Sequence, residues 1–453
     1  MMNILIIKNA EWNDVTFANN LLTNWFEGVD ANFANIYCGP GLPLNNVCSR
    51  YFQITDKELL KSLFLMGRAG KTVSMLKSQE YVAKAKINAN RTGIYGLFKR
   101  LSMVMNGLVM LIRDFLWMRG RYNKPALRKF IEDFSPDIIL SYRVFNPQIY
   151  QVERLVFEYA KAPMVAYTGD DEVMNDSYPR IGLSQWRKNY TRSLFSKQSS
   201  IYSHYFTHSA DLCSQYTSKY GIPATVIYKG ARFKENLVEK NVHKPIKLMY
   251  AGRVCYGRWK TLVEIGKIID RINSDGDKMQ LFVYTQDVLS GKEKADVRKV
   301  HSLNFCGAVN GGELETLYEN SDIALHLESF EKKYSLATMY SFSTKIVDLM
   351  NSTCAIMAVC EENQAGLKYL KENGSAFVIT NYDDIYDVLL DINKNPAAIR
   401  QLAINAWNLG KKNHDRQKNQ QIIMNLLNEV LQNSKKNNGN EENTYYSRKY
   451  RFK

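Results

Sequence analysis

The sequence predicts an α/β chain built from two doubly wound domains, each with a mostly parallel sheet. Short apolar runs of strand length alternate with stretches of helical periodicity, first from Asn3 and again from Ile246. A charged connector without periodicity, residues 233–245, separates the two series and marks the predicted domain boundary. A chain of 453 residues is long enough for two or three such domains.

The charge balance narrows the kinds of partner. The chain has 60 Lys and Arg against 45 Asp and Glu, a formal net charge of +15. This excess favours a nucleic acid, an anionic membrane surface or a phosphate-bearing small substrate. Nucleic acid is the weakest of the three, because no zinc-finger spacing, RRM-type signature or basic heptad region occurs. We therefore expect no nucleic acid partner.

The cysteines and the apolar runs bear on the compartment. The seven cysteines are scattered and form no C-x-x-C pair, which favours reduced thiols in a cytosolic protein. The first predicted strand begins at Asn3, which leaves no room for a signal peptide. No run reaches the ~18 uncharged apolar residues that a membrane-spanning helix needs.

The N-terminal domain, residues 1–232, is predicted from its elements in chain order. Strands are expected at 3–7, 31–37, 138–141, 164–167, 205–209 and 225–228, and helices at 17–26, 97–122, 125–134 and 210–220. Residues 57–96 are polar, basic and poorly periodic. Residues 67–72, GRAGKT, resemble a phosphate loop, but the spacing is wrong and no strand precedes them.

The loop after the first strand is a candidate edge of a site. Ligands of doubly wound domains bind beyond the carboxyl ends of the strands. Asn9, Glu11 and Asn13 lie at this end and are candidates for the acceptor side of a site. An ordinary surface turn explains the same residues equally well.

Residues 97–122 form the most apolar long segment, punctuated by arginines. Arg113 and Asp114 in its middle argue against a membrane span. A helix covering the sheet and an amphipathic helix lying on an anionic leaflet both remain open. Residues 178–205 interleave basic and aromatic side chains, which suits a solvated helix, an acceptor groove or nucleic acid.

Acidic side chains follow the strand predicted at 164–167. Asp170 and Asp171 are expected at the carboxyl edge of the sheet, where one of them acts as a base or orients a sugar hydroxyl. The alternative is that they are acids at a helix start, which the helix dipole favours. They do not form a D-x-D pair, so we predict no metal there.

The C-terminal domain, residues 246–412, repeats the strand–helix alternation. Strands are expected at 246–250, 279–284, 303–306, 323–327, 355–359 and 376–379, and helices at 262–272, 314–320, 346–350, 383–393 and 397–409. A C-terminal helix, 413–432, follows. Residues 433–453 are polar and of low complexity, which is typical of a disordered tail.

The segment 321–361 reads as strand, loop, helix and strand. Residues 329–340 are polar and irregular, and Ser343 or Thr344 supplies an N-cap side chain. A helix start with free N–H groups beside Lys345 is suited to an anion. Asp348, one turn further, is placed to bind ribose hydroxyls.

Two arginines follow the strand at 246–250. Arg253 and Arg258 would lie at its carboxyl end, and guanidinium groups bind phosphate in a bidentate manner. They are candidates for a diphosphate clamp, with solvated surface cations as the alternative. Together with the helix start near Lys345, they predict a nucleotide-diphosphate site.

At this point the sequence resembles GT-B glycosyltransferases, most closely the family-4 type. The resemblance extends from Asn3 to about Leu431 and rests on the order and spacing of several pieces. They are NILIIKN, PDIIL, YFTHSADLCSQYTSKYGIPATVIYKGARF, YAGRVCYGRWKTL and SFSTKIVDLMNSTCAIMAV.

The resemblance implies two Rossmann-like domains facing a cleft, with the sugar nucleotide bound mainly by the second. Arg253 and Arg258 match the basic residues that hold the diphosphate. Ser343, Thr344 and Lys345 match the segment that offers backbone N–H groups to phosphate, so all three are donor-binding candidates.

The sequence matches the E-x(7)-E motif of the family only in part. Asp348 falls on its second Glu, which holds ribose, whereas Tyr340 falls on the first. Glu328 is a nearby acid out of register and is kept among the donor-binding candidates. Asp170 or Asp171 falls about where the family places its acceptor-side catalytic group.

The resemblance implies a metal-independent hexosyltransferase, with a nucleotide-diphosphate sugar as co-substrate and no other cofactor. The expected acceptor is a hydroxyl of a polysaccharide or lipid-linked glycan, and the expected place is the cytosol, including peripheral association with the anionic inner face of the membrane. Three alternatives remain open: a non-catalytic GT-B-like protein that binds a glycan or a partner, an epimerase and a phosphorylase.

Overall fold

A computed structural model of the chain describes residues 1–15, 20–65, 67–75, 106–143, 147–169, 182–238 and 240–440. Contacts divide the chain into two compact units. The first unit is Met1–Ile227 together with the C-terminal residues from Gln420 onward, and the second is Tyr228–Asn419.

The second unit begins ahead of the charged connector at 233–245. Tyr228 and Phe233 pack against the apolar core of this unit. The backbone N–H of Ala231 donates to the carbonyl of His414, 2.8 Å away, and the N–H of Arg416 donates to the carbonyl of Ala231 at 2.9 Å. These contacts join the start of the unit to its end.

The first unit contains a sheet of eight strands in the described part of the chain. They are β1 (Met2–Lys8), β2 (Ala31–Tyr37), β3 (Arg50–Gln53), β4 (Lys71–Val73), β5 (Ile138–Tyr142), β6 (Met164–Tyr167), β7 (Tyr202–Thr207) and β8 (Ala224–Val226). Their order is β4-β3-β2-β1-β5-β6-β7-β8. The pairs are parallel except β3 with β4, at one edge. Residues on β1 such as Ile4 and Ile6 are buried in the core.

Helices connect these strands. They are α1 (Leu21–Phe26), α2 (Asp56–Phe64), α3 (Asn106–Arg119), α4 (Lys124–Phe134), α5 (Pro147–Ala160), α6 (Leu183–Gln198) and α7 (Ala210–Tyr220). The sequence explains several of their ends. Ser209 caps α7 through its side chain, and Gly221 ends the helix in the left-handed conformation that glycine adopts without strain.

The second unit contains a parallel sheet. Its strands are β9 (Ile246–Ala251), β10 (Met279–Tyr284), β11 (Leu303–Gly307), β12 (Ile323–Leu327), β13 (Ala355–Val359) and β14 (Phe377–Ile379). The order β11-β10-β9-β12-β13-β14 reverses between β9 and β12. This reversal is the topological switch point of a Rossmann-like sheet.

The remaining helices lie in or begin in this unit. They are α8 (Arg258–Ile272), α9 (Gly291–Val297), α10 (Gly311–Glu319), α11 (Lys332–Thr338), α12 (Thr344–Met350), α13 (Ala365–Glu372), α14 (Asp384–Lys394), α15 (Ala397–Asn413) and α16 (Arg416–Asn440). Apolar side chains of the strands and helices form two buried clusters in this unit. The prediction of α/β architecture with doubly wound, mostly parallel sheets is confirmed.

Some local predictions were wrong. Residues 329–340 were expected to be irregular, but α11 lies within them, with Ser335 buried. Part of the segment 57–96 was expected to lack periodicity, yet α2 starts with a side-chain cap from Thr55 and packs Leu59 in the core. In both segments a few buried positions stabilise the helix, because tertiary packing overrides a weak local pattern.

The C-terminal helix is longer than predicted. It was expected at 413–432, with a disordered tail from 433, whereas α16 runs from Arg416 to Asn440. Ile423 and Leu427 are buried in the first unit's core and fix the helix, and elongation beyond such a fixed segment needs no new nucleus. Residues 441–453 lie outside the described residues.

Candidate functional site

The switch point of the second sheet brings two loop starts together. β9 and β12 pair in parallel, with Ile323 opposite Leu248, so their carboxyl ends lie at the same edge. Arg253 follows β9 and Glu328 follows β12. Ligands of open α/β sheets bind in the crevice at this position.

The turn after β9 is fixed by its own hydrogen bonds. The hydroxyl of Tyr250 donates to the carbonyl of Arg253 at 2.6 Å, and the N–H of Val254 donates to Asp287 Oδ2 at 2.8 Å. Gly257, with φ of +79°, makes the sharp entry into α8. The turn thereby places Arg253 before α8 and Arg258 at its first position.

A cavity of about 240 Å³ opens at this edge. Its charged and polar lining contains five of the residues that the sequence predicted to bind the donor: Arg253, Arg258, Glu328, Ser343 and Lys345. The other lining residues are Tyr250, Leu325, His326 and Leu327. The structure thus gathers side chains from β9, β12 and α12 around one space.

Arg258 and Glu328 form a bidentate ion pair beside the cavity. Arg258 Nη2 lies 2.8 Å from Glu328 Oε1, and Arg258 Nε lies 3.0 Å from Glu328 Oε2. Both side chains are largely buried, at 16% and 13% exposure. Glu328 therefore holds the guanidinium of Arg258 in one orientation, a role that sequence register did not reveal.

Lys345 extends from the first turn of α12 into the cavity. Its ammonium lies 5.3 Å from the ring centroid of Tyr250 and so close to Gly252 that a Cβ atom there would be 1.8 Å from Nζ. Burial, with the Arg258 charge as the next cause, lowers the pKa of Lys345 to about 8. Within the described residues Lys345 forms no ion pair.

His326 forms part of the cavity wall as a neutral side chain. It is the fourth residue of β12 and is buried. Burial, together with the charges of Lys345 and Arg258, lowers the pKa of His326 to about 3. The imidazole therefore adds no charge at neutral pH, and the cations of the site are Arg253, Arg258 and Lys345.

The start of α12 differs from the prediction. Ser343 is the N-cap residue, but its side chain makes no capping hydrogen bond, so the expected side-chain cap is wrong. Ser343 lines the cavity, whereas Thr344, the next residue, is not among the described residues that line it. The N–H of Ile346, the third residue of α12, donates to the carbonyl of Ser343 at 3.0 Å.

Asp348 is not among the described residues that line the cavity. Its Oδ1 accepts a hydrogen bond from Nζ of Lys229 at 2.5 Å, with side-chain exposures of 30% for the acid and 10% for the lysine. Asp348 thus forms an ion pair with Lys229, and its ribose-binding role stays a prediction.

The site candidates of the N-terminal half do not line this cavity in the described part of the chain. Asp170 and Asp171 lie outside the described residues. Asn13 is fully buried, with its Nδ2 donating to the carbonyl of Leu42 at 2.9 Å and its Oδ1 accepting from the N–H of Val15. Asn13 therefore stabilises its loop through these bonds, and its role on the acceptor side stays a prediction.

Asn9 and Glu11 lie on the same loop after β1. The carbonyl of Asn9 accepts from the N–H of Cys38 at 3.2 Å. The carboxylate of Glu11 packs against the turn after β2, where a Cβ on Gly41 would come within 2.1 Å of it. Their role on the acceptor side stays a prediction.

Tyr250, His326 and Lys229 were missed by sequence reasoning. His326 is the polar residue inside the otherwise apolar run IALHL, and this break in the pattern was the available signal. Lys229 acts through Asp348, 119 residues away, and Tyr250 acts through the turn after β9. A contact over 119 residues leaves no local pattern, whereas the bond from Tyr250 to Arg253 spans only three residues and depends on the geometry of the turn.

Neither a metal-binding cluster nor a membrane-spanning helix occurs in the described part of the chain. They contain no group of three or more His, Cys, Asp or Glu side chains arranged to hold a metal ion. In the same residues no helix combines the length and apolar character needed to cross a bilayer.

Comparison with known proteins gives a likeness of structure only. No family model matches the sequence, and no curated protein matches it significantly. Among solved structures, sucrose-phosphate synthase from Thermosynechococcus elongatus is similar with a TM-score of 0.57 and 10% identity, covering 96% of this chain and 100% of that one.

Two further structures show the same likeness. Anabaena HepE, in complex with UDP and glucose, has a TM-score of 0.56 and 12% identity, covering 94% of this chain and 100% of that one. An α,α-trehalose 6-phosphate synthase from Burkholderia multivorans has a TM-score of 0.53 and 9% identity, covering 96% and 100%. At these identities the likeness shows the fold, and the predicted pair of Rossmann-like GT-B domains is confirmed.

Proposed function

We propose that the protein is a glycosyltransferase that binds a nucleotide-diphosphate sugar in the cavity of its second unit and transfers the sugar to a hydroxyl group. The observation that carries the proposal is the convergence of Arg253, Arg258 and Lys345 on that cavity, where Glu328 is the one carboxylate among the described lining residues. Excess positive charge in a partly buried space favours an anionic ligand.

The titration of Lys345 supports an anion at this place. The pKa of an ammonium group falls when the group is desolvated near other cations, and a bound diphosphate would raise it again. Perturbed pKa values gather at functional sites because such sites gather unbalanced charges. The proposed donor is a UDP-sugar, since HepE of the same fold was solved with UDP and glucose.

The same cations supply the proposed chemistry. As the bond between the sugar and the diphosphate breaks, negative charge grows on the leaving phosphate oxygens. Preorganised cations stabilise that charge more in the transition state than in the ground state. We propose that Arg253, Arg258 and Lys345 provide this stabilisation and that transfer needs neither a metal nor a cofactor.

The acceptor side of the proposal rests on the sequence. Asp170 or Asp171 would orient or deprotonate the acceptor hydroxyl as a general base. Asp348 would bind a ribose hydroxyl of the donor while Lys229 holds it. The proposed acceptor is a polysaccharide or lipid-linked glycan.

A binding screen followed by turnover tests the proposal. UDP, GDP and their sugars are screened by thermal shift, because a ligand that binds only the folded state raises the unfolding midpoint. We expect Arg253→Ala to weaken binding of the best ligand about tenfold or more, since a charge-assisted contact is lost. Lys260→Ala is the matched control, because Lys260 lies on α8 but pairs with Glu331 outside the cavity.

Three outcomes contradict the proposal in different ways. If no nucleotide diphosphate shifts the midpoint, the donor site is wrong. If Arg253→Ala binds like the Lys260→Ala control, the clamp is wrong. If the nucleotide sugar binds but is neither transferred to any glycan acceptor nor hydrolysed, the protein is a non-catalytic GT-B-like binding protein, which the Tyr at position 340 would then explain.

A further inference from the structure

Three helices of the first unit form a surface that the proposed donor site does not use. α3 packs between α2 and α6 through polar contacts, of which the one to α6 is largely buried. Asp56 on α2 accepts from Arg113 Nε at 3.0 Å and from Trp117 Nε1 at 2.5 Å. On the other side, Arg187 on α6 donates to Asp114 at 2.6 Å.

The outer faces of these helices carry large apolar side chains in contact with solvent. On α3, Leu108, Ile112 and Phe115 follow helical spacing along one stripe, exposed by 44%, 57% and 57%. The adjoining outer positions of the other helices also carry exposed apolar residues. They are Leu60, Phe64 and Leu65 from α2 and its end, and Leu183 and Trp186 from α6. We call this set, with the α3 stripe, the apolar face.

The three helices leave an excess of positive charge around the apolar face. Each acid of the three helices is engaged internally: Asp56 with Arg113, Asp114 with Arg187, and Glu58 with Lys71. α6 carries no acid at all in the sequence LSQWRKNYTRSLFSKQ. The surface that remains for a partner is therefore apolar and positive.

Exposed cations are interleaved with the apolar residues. Lys57 and Lys61 share the outer stripe of α2 with Leu60 and Phe64, at positions i, i+3, i+4 and i+7. Arg119 continues the α3 stripe. Within the described part of the chain these three cations form no ion pair.

We propose that the apolar face docks on the surface of an anionic lipid bilayer. Aromatic and aliphatic side chains between lysines and arginines suit insertion at the headgroup level, with the cations meeting lipid phosphates. A second copy of the chain is a poor occupant, because it would bring two positive faces together. The proposal concerns the first unit alone and does not depend on the proposed sugar transfer.

Vesicle co-sedimentation of the full chain tests the proposal. We expect binding to phosphatidylcholine vesicles that contain phosphatidylglycerol, and about tenfold weaker binding to pure phosphatidylcholine or at high salt, because attraction to anionic lipid is screened. The double substitution Ile112→Glu and Phe115→Glu should abolish binding. Both side chains are exposed, so the fold should persist, as the unfolding midpoint will show.

A further variant, with a matched control, separates the apolar from the electrostatic contribution to vesicle binding. Lys57→Gln, Lys61→Gln and Arg119→Gln together should remove the preference for anionic vesicles. Val288→Glu is the matched control, because Val288 is 87% exposed and lies in the second unit.

Trp186, which is 56% exposed and stacks on Tyr190, should shift its fluorescence to the blue on vesicles and be quenched by brominated lipid.

Specific results overturn the proposal. One is the absence of sedimentation with anionic vesicles. Another is sedimentation that the Ile112→Glu and Phe115→Glu variant retains, as the Val288→Glu control does. A third is self-association in solution that this double variant abolishes without vesicles, which would assign the apolar face to a second copy. Nucleotide binding by the double variant should equal that of the native chain, so failure here is distinct from failure of the donor site.

Discussion

The guanidinium of Arg258 and the carboxylate of Glu328 are joined by two parallel contacts, although 70 residues separate them in sequence. The pair links the start of α8 to the end of β12 at the switch point of the sheet. Because both side chains are largely buried, neither can lose its partner without cost. We therefore propose that Glu328 acts on the donor through Arg258, as a positioning residue.

A double-mutant cycle on this pair should show strong coupling. Arg258→Ala and Glu328→Ala should each lower the free energy of unfolding by roughly 1–3 kcal/mol, because each leaves a buried charge unpaired. The double variant should lose less than the sum, with a coupling energy of about 1–3 kcal/mol measured by urea denaturation.

Additive losses would show that the two groups do not interact in solution. Measurements of nucleotide binding then distinguish a role of Arg258 in the site from a role in stability alone. Arg258→Ala should lose affinity for the diphosphate even where the variant is folded. Lys260 lies on the same helix as Arg258 and forms an exposed ion pair with Glu331. Lys260→Ala should therefore change neither stability nor affinity appreciably.

The pH dependence of nucleotide binding should report Lys345. Its pKa of about 8 means that the free site is fully charged below that pH and loses a charge above it. A bound diphosphate raises the pKa, so affinity should be constant at lower pH and fall as pH rises through about 8. Calorimetry across this range measures the effect. Lys345→Met should bind weakly and show no such inflection.

The same substitution should stabilise the protein when no ligand is present. The pKa of Lys345 is lower in the folded chain than the ordinary value of 10.5, so the unfolded state binds more protons between about 8 and 10.5. Native stability therefore rises with pH in that window and is reduced below it. Lys345→Met should raise the free energy of unfolding at neutral pH by up to about 3 kcal/mol. A lower midpoint would contradict this.

Most strands of both units could be predicted from the sequence to within three residues, but β3 and β4 were missed. The runs at 323–327 and 355–359 have the bounds of β12 and β13, because a parallel strand buried on both faces is a nearly continuous apolar run. The run at 31–37 has the bounds of β2, although it contains two asparagines. α11 and α2 could not be predicted, since few of their residues are buried. Their stability comes from packing rather than from a local pattern.

The candidate site was only partly predictable for a related reason. Arg253, Arg258 and Lys345 belong to loops and helix starts whose place follows from the strand order, and the structure brings them to one cavity. The pairs Arg258–Glu328 and Lys229–Asp348 join residues 70 and 119 positions apart. Such pairing depends on side-chain geometry, which cannot be inferred from a single sequence.

Gly252 should be required for the position of Lys345 and for its own backbone conformation. A Cβ there would lie 1.8 Å from Lys345 Nζ, which is the far end of a flexible side chain and can move aside. The backbone of Gly252 also has a φ of +158°, which residues with a Cβ rarely adopt, so Gly252→Ala should lower the unfolding midpoint. It should also weaken diphosphate binding about tenfold, by displacing the ammonium. Gly291→Ala is the control, because a Cβ at Gly291 meets no atom within 4 Å. Equal affinities of the two variants would contradict the role of Gly252.

Asp348 offers a test that separates ribose from phosphate recognition. Its Oδ1 is bound to Lys229, and the proposal assigns its other oxygen to a ribose hydroxyl. Asp348→Asn should weaken UDP binding about tenfold, since a hydrogen bond to a charged acceptor is lost. Binding of pyrophosphate, which has no ribose, should not change. Isothermal calorimetry with both ligands measures the difference.

Asp383→Asn provides the matched control for this comparison. Asp383 is an exposed acid of the same unit whose side chain makes no capping hydrogen bond to α14, so its substitution should alter neither ligand. An equal loss of UDP and pyrophosphate affinity in Asp348→Asn would mean that Asp348 acts only by holding Lys229 and the local structure. No loss of either would remove Asp348 from the site, and the ribose would then be bound by other residues.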